Sequence, residues 1–172
     1  MRRNRILLLA LIALPLYLSN LAAQQAATPA PEAGQLLLAG PQHPPLRLSL
    51  ADLKAMPRID VTVHNPHTNA DETYSGVRLA DLLAKLGAPL GSELHGQALA
   101  NYVVATGSDG YKAVLALAEV DPSFHPGEVV VADAMNGKPL DPHFGPLKLV
   151  VTEDKRPARS VRNLVSIELK AP

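Results

Sequence analysis

The stretch Tyr102–Leu117, YVVATGSDGYKAVLAL, sets two apolar runs either side of Ser108-Asp109-Gly110-Tyr111. Both runs are rich in Val, Ala and Leu and short enough for strands. Asp-Gly is a dipeptide that reverses a chain sharply, because Gly takes positive φ without cost. The reading is a β-hairpin, with Tyr111 starting its second strand.

More strands follow downstream: EVVVADA, LKLVVT and LVSIEL, separated by Asp121-Pro122, Asn136-Gly137 and Gly145-Pro146. Upstream, QLLLAG and LRLSL read as short strands around the proline-rich PQHPP. RIDVTVHN alternates Ile59, Val61 and Val63 with polar neighbours, the period of a half-buried strand. Ser49 is placed to cap a short helix through LADLKAMP, which Pro57 stops. HNPHTNADETYSG reads as a polar loop or hairpin tip, and GSELHGQAL as a helical turn. VRLADLLAKLG carries Leu79, Leu82, Leu83 and Leu86 at helical spacing, with Gly87 at the C-cap and Pro89 beyond. The expectation is an α+β domain, β-rich, with one main helix packed on a mixed sheet.

The chain has 172 residues, 47% hydrophobic and 19% charged, the balance of a globular protein. Its beginning has the three parts of an export signal: Arg2, Arg3 and Arg5, the apolar run Ile6 to Leu18, then small residues around Ala22 to Ala27. The apolar run is interrupted by Pro15 and falls short of the about 20 residues a membrane span needs. Residues 1–26 are therefore expected to be a signal peptide, 27–34 a flexible leader and 35–170 a single domain, periplasmic or secreted. An uncleaved N-terminal anchor is the alternative. Arg2-Arg3 also raises the twin-arginine route, although the hydrophobicity of the run favours the Sec route.

Removing the three signal arginines leaves 13 basic against 16 acidic side chains, a balance of −3. That gives no reason to expect nucleic acid as a partner. Cysteine is absent, so an exported domain of this composition is stabilised by its core and not by disulfides. No thiolate nucleophile or thiolate metal ligand exists. Ser108, Asp109 and His125 do not form a hydrolytic motif, and no phosphate-cradling glycine loop occurs.

Two candidate sites remain. His64 and His67, with Asp71 and Glu72 nearby, could offer imidazole and carboxylate ligands to zinc or copper, or could decorate a polar hairpin tip. Lys155, Arg156, Arg159 and Arg162 place four cations within eight residues after an apolar strand. Guanidinium groups grip phosphate or carboxylate bidentately, so the cluster could seat an anion; it could equally be a solvated loop paired with Glu153 and Asp154. His43, His95, His125 and His143 read as single surface histidines.

From about Gln35 to Lys170 the order of motifs resembles the sulfite-oxidase-type family of oxidoreductase molybdopterin-binding domains. The pieces that carry the resemblance are YSGVRLADLLAKLGAP, YVVATGSDGYKAVLAL, VVVADAMNGKPLDPHFGPLKLVV and VRNLVSIEL. The resemblance implies a curved β core and a pyranopterin cofactor, molybdopterin, whose molybdenum is held by a cysteine following the strand that here reads DVTVHN. It also implies that basic groups near Lys155 to Arg162 anchor the pterin phosphate. Without cysteine the usual thiolate-held centre cannot form. The expectation is an exported module for a small, pterin-like anion or a periplasmic partner protein, without the usual molybdenum catalysis. The alternatives are an oxidoreductase with His64 or Asn65 as a non-thiolate ligand, and a periplasmic metal-binding protein.

Overall fold

A computed structural model describes residues 34–172. The expected signal peptide and nearly all of the expected leader lie outside the described residues. Among those described, no helix is long and apolar enough to cross a membrane.

The chain opens with β1 (Gln35–Gly40) and β2 (His43–Ser49), antiparallel to each other. Helix α1 (Leu50–Lys54) follows directly. Ser49 caps it by a reciprocal pair, in which its Oγ accepts from the Asp52 N–H while the Asp52 carboxylate accepts from the Ser49 N–H. β3 (Ile59–Asn65) and β4 (Ala70–Arg78) form a hairpin that leads straight into α2 (Leu79–Ala84). Two 3₁₀ turns, Gly91–Glu93 and Gly96–Ala100, cover the segment expected to hold a helical turn. The opening motif is β5 (Tyr102–Gly107) and β6 (Lys112–Ala116), followed by α3 (Leu117–Val120). β7 (Val129–Met135), the two-residue β8 (Lys138–Pro139), β9 (Lys148–Val151), a 3₁₀ turn at Pro157–Arg159 and β10 (Leu164–Lys170) complete the chain.

These strands make two sheets. One runs β2-β1-β10-β5-β6, mixed because β1 and β10 are parallel; the other runs β3-β4-β7-β8, with β9 also paired to β7, and is antiparallel throughout. β-richness is therefore as expected, but the main helix is not. Its predicted span shrinks to the six residues of α2, because Val77 and Arg78 pair with Val131 and Val130 as part of β4. At the other end Gly87 takes φ +68° and Ala88 N–H donates to Leu83 C=O at 3.1 Å, closing the helix before Pro89.

A second difference concerns Ala70 to Gly76, expected as loop and observed as strand. Its polar residues occupy strand positions because the neighbouring β3 and β7 supply the ladder. At Gly76 the register with β7 shifts by one residue, and a Cβ there would overlap the Val131 carbonyl and the Ala132 Cα. Only glycine permits that approach. Opposite, the bulged Asp133 is buried and receives both Nη atoms of Arg58, at 2.9 and 2.6 Å.

The main core joins Leu36, Leu38, Val103, Leu115 and Ile167 of the first sheet to Val77, Val129, Val131 and Leu149 of the second, with Leu79, Leu82 and Leu83 of α2. Full burial of side chains of this size contributes about 1.5–3 kcal/mol each. The alternate residues of β7, Val130 and Ala132, belong to a separate small cluster with Val61, Tyr74, Leu140 and Val150. By the two-residue period of a strand, that cluster lies on the opposite face of the second sheet. The candidate functional site is built there.

Candidate functional site

An open cleft of about 610 Å³ lies against this face. β3 contributes Val63, His64 and Asn65, β4 contributes Glu72 and Tyr74, and β9 contributes Lys148 and Val150. The hairpin turn brings Asp109 and Tyr111, and the segment after β9 brings Asp154, Lys155, Ser160 and Arg162. Residues far apart in the chain meet because β9 and the β3–β4 hairpin border the same sheet, joined by β7.

At its floor Lys148 Nζ donates to the Tyr74 hydroxyl at 2.6 Å, and that hydroxyl donates to Glu72 Oε2 at 2.7 Å. Asn65 Nδ2 donates to the other carboxylate oxygen, Glu72 Oε1, at 2.7 Å. The Lys148 ammonium also stands 4.3 Å from the Tyr74 ring centre and 5.1 Å from that of Phe144, within cation–π range. Burial holds the Lys148 ammonium below the usual lysine range; Glu72 opposes that shift and Arg162 adds to it. Burial likewise drives the Tyr74 phenol well above the usual tyrosine range, helped by the Glu72 carboxylate that accepts its proton.

The four predicted cations separate. Arg159 is committed internally, with Nε and Nη2 to Asp154 at 2.9 and 2.6 Å and Nη1 to Glu119 at 2.8 Å. Those two carboxylates, Asp154 first, raise its already high pKa. Arg159 thus fastens the basic loop to α3 and does not line the cleft. Arg156 is exposed at the N-cap of the 3₁₀ turn and does not line it either. Lys155 and Arg162 do. Among the described residues neither is in an ion pair with a carboxylate.

The acids of the cleft are all engaged. Glu72 serves Asn65 and Tyr74, Asp154 serves Arg159, and Asp109 Oδ1 accepts from the Tyr111 N–H at 2.9 Å. Positive charge from Lys155 and Arg162 is left without a carboxylate partner, beside the half-buried Lys148. Guanidinium and ammonium donors of this kind are chemically able to grip an oxyanion.

His64 and His67 both border the cleft. His64 Nδ1 lies 2.9 Å from Asp71 Oδ1, while the His67 N–H donates to Asn65 Oδ1 at 2.9 Å. Among the described residues no three His, Asp or Glu side chains converge as a metal site. Asn65 has both ends of its amide engaged, one by Glu72 and one by the His67 backbone.

Sequence reasoning missed Lys148, Tyr74 and the cleft position of Tyr111. A lysine inside the apolar strand KLVV was the available signal for the first. Tyr111 was read as the first residue of a strand; it stands just before β6, and its hydroxyl donates to the Ala158 carbonyl at 2.6 Å, clasping the basic loop.

A family model described as "Oxidoreductase molybdopterin binding domain" matches residues 25–171. The chain belongs to that family. Among solved structures, this molybdopterin-binding domain is similar to the sulfane dehydrogenase SoxCD from Paracoccus pantotrophus, with a TM-score of 0.58 and 21% sequence identity. The match covers 80% of this chain and 38% of that one, and it shows the sulfite-oxidase-like fold. Comparison with curated proteins gives no match.

Family membership implies a molybdenum held by a pterin dithiolene and a protein thiolate. The residues of this molybdopterin-binding domain do not fit that metal: there is no cysteine, and Asn65, at the end of β3, is already hydrogen-bonded at both ends. They do suit the anionic part of such a group. Lys148, Lys155 and Arg162 line the same cleft, and Tyr74, Tyr111 and Phe144 offer ring surface in it.

Proposed function

We propose that this chain is a binding module for a small oxyanion-bearing ligand of pterin-like character, acting without thiolate-held molybdenum. The observation that carries the reading is the cleft itself. Its acids are each engaged within the protein while Lys155 and Arg162 have no carboxylate partner, and half-buried Lys148 lies within cation–π range of two aromatic rings. An oxyanion would be gripped by directed donors from Lys155 and Arg162, and the rings would cover a planar heterocycle. The export signal read at the N-terminus supports a periplasmic setting, which fractionation of the tagged full chain would check.

The deciding experiment is analysis of what co-purifies with the full chain. Denaturation should release a phosphate-bearing pterin, visible after oxidation by its fluorescence, in amounts that fall when Lys148→Met or Arg162→Ala is introduced. Molybdenum stoichiometric with protein would overturn the reading.

A further inference from the structure

We propose that His143 is the positioning residue for Arg162, holding its guanidinium at the cleft only while the imidazole is neutral. This rests on the reading of the cleft as an oxyanion seat. Arg162 Nη1 and His143 Nε2 are 2.7 Å apart. A guanidinium has donors only, so Nε2 must present its lone pair, and the single proton of neutral His143 sits on Nδ1. Arg162 lines the cleft and His143 does not, so the histidine acts through the arginine.

The histidine is itself well anchored. Its backbone N–H donates to Asp141 Oδ1 at 2.8 Å, and its carbonyl accepts from Asn163 Nδ2 at 3.1 Å. Its ring meets Phe144 edge-on, with centres 5.0 Å apart, and the Phe144 ring in turn lies 5.1 Å from Lys148 Nζ. The charged groups on these elements are Asp141 on its own loop, Arg162 on the segment before β10 and, beyond the Phe144 ring, Lys148 on β9. Two of the three are cations.

Protonation puts an N–H on Nε2 facing the N–H of Arg162. Two donors of like charge cannot keep that distance, so one side chain turns away. The extra positive charge also attracts an oxyanion through solvent. His143 and Arg162 are both exposed, which screens that attraction, whereas loss of an aligned guanidinium removes a directed donor edge. Loss of alignment is the larger effect, and the cleft weakens on acidification.

The test uses inorganic sulfate, whose charge is constant between pH 5 and pH 8, titrated calorimetrically into the full chain. Affinity should fall about tenfold from pH 8 to pH 5.5, the range in which histidines titrate. His143→Gln keeps an acceptor without a titrating ring; it should not lose sulfate affinity on acidification. His143→Phe should bind weakly at both. His64 and His67 also line the cleft, and the glutamine variant separates their titration from that of His143. Sulfate affinity that is constant or rises on acidification overturns the proposal. Nitrogen NMR of the His143 ring provides a second arm that needs no ligand. Proton on Nδ1 of the neutral ring supports the contact; proton on Nε2 overturns it. Should sulfate bind at neither pH, the oxyanion reading falls, and the NMR arm still decides the positioning.

Discussion

Lys148 donates a 2.6 Å hydrogen bond to the Tyr74 hydroxyl while its ammonium stands 4.3 Å from the centre of the same ring. A cation is thereby kept at the floor of an aromatic cleft, with its charge balanced through one phenol by Glu72. Burial works against that charge, so folding alone gives little reason for it, and binding is the role proposed for it.

Lys148→Met separates those two roles. The thioether fills similar space without a charge, so stability should change by no more than about 1 kcal/mol in either direction. Oxyanion affinity should drop at least about tenfold. Urea unfolding and calorimetric titration check the pair; a large loss of stability with affinity intact would make Lys148 a structural residue.

Tyr74→Phe tests the phenol by pH. Burial and Glu72 keep the folded phenol protonated beyond the usual tyrosine range, whereas an unfolded tyrosine ionises near about pH 10. Above that pH the unfolded chain has released a proton that the folded chain retains, so rising pH favours unfolding. Wild-type stability should therefore decline relative to Tyr74→Phe as pH increases from 9 to 11, measured by urea midpoints. Lys148 is present in both proteins, so its own alkaline titration contributes little to the difference.

Arg159→Ala and Arg156→Ala should part company although the residues are three apart. Arg159 ties Asp154 to Glu119, and its loss should lower stability by about 1 kcal/mol, the modest figure set by its partial exposure. Arg156 is exposed and outside the cleft, and its removal should leave both melting temperature and sulfate affinity unchanged. Thermal melts of the two single variants decide this.

Gly76→Ala should be severely destabilising, by about 3 kcal/mol, because its Cβ meets the backbone of β7, which cannot rotate aside. Gly110→Ala should cost about 1 kcal/mol: it has positive φ but open space around it. Chemical denaturation of both variants checks the ranking.

The strands were legible wherever β-branched residues alternate or run together, as in β3, β5, β7 and β10, since that pattern follows from which side chains water excludes. The turn glycines were legible too: Gly110 and Gly87 both have the positive φ expected of them. β4 was hidden because Glu72, Thr73 and Ser75 are polar, and their strand conformation comes from flanking strands and not from their own preference. The helix was overestimated for the same reason, as pairing with β7 claimed its first two residues, Val77 and Arg78.

For the site, the sequence by itself determined the inventory: no thiolate, a cluster of cations after β9, and the motif order that gives the family. Tertiary structure alone decided which cations are available. Arg159 is consumed by Asp154 and Glu119, while Lys148, hidden in an apolar strand, becomes a cleft residue through Tyr74 and Phe144. The YVVATGSDGYKAVLAL hairpin was readable as a turn, but the placement of Asp109 and Tyr111 at the rim was not. Spacing along a chain fixes local geometry, whereas a site made by three separate segments depends on how the sheets pair.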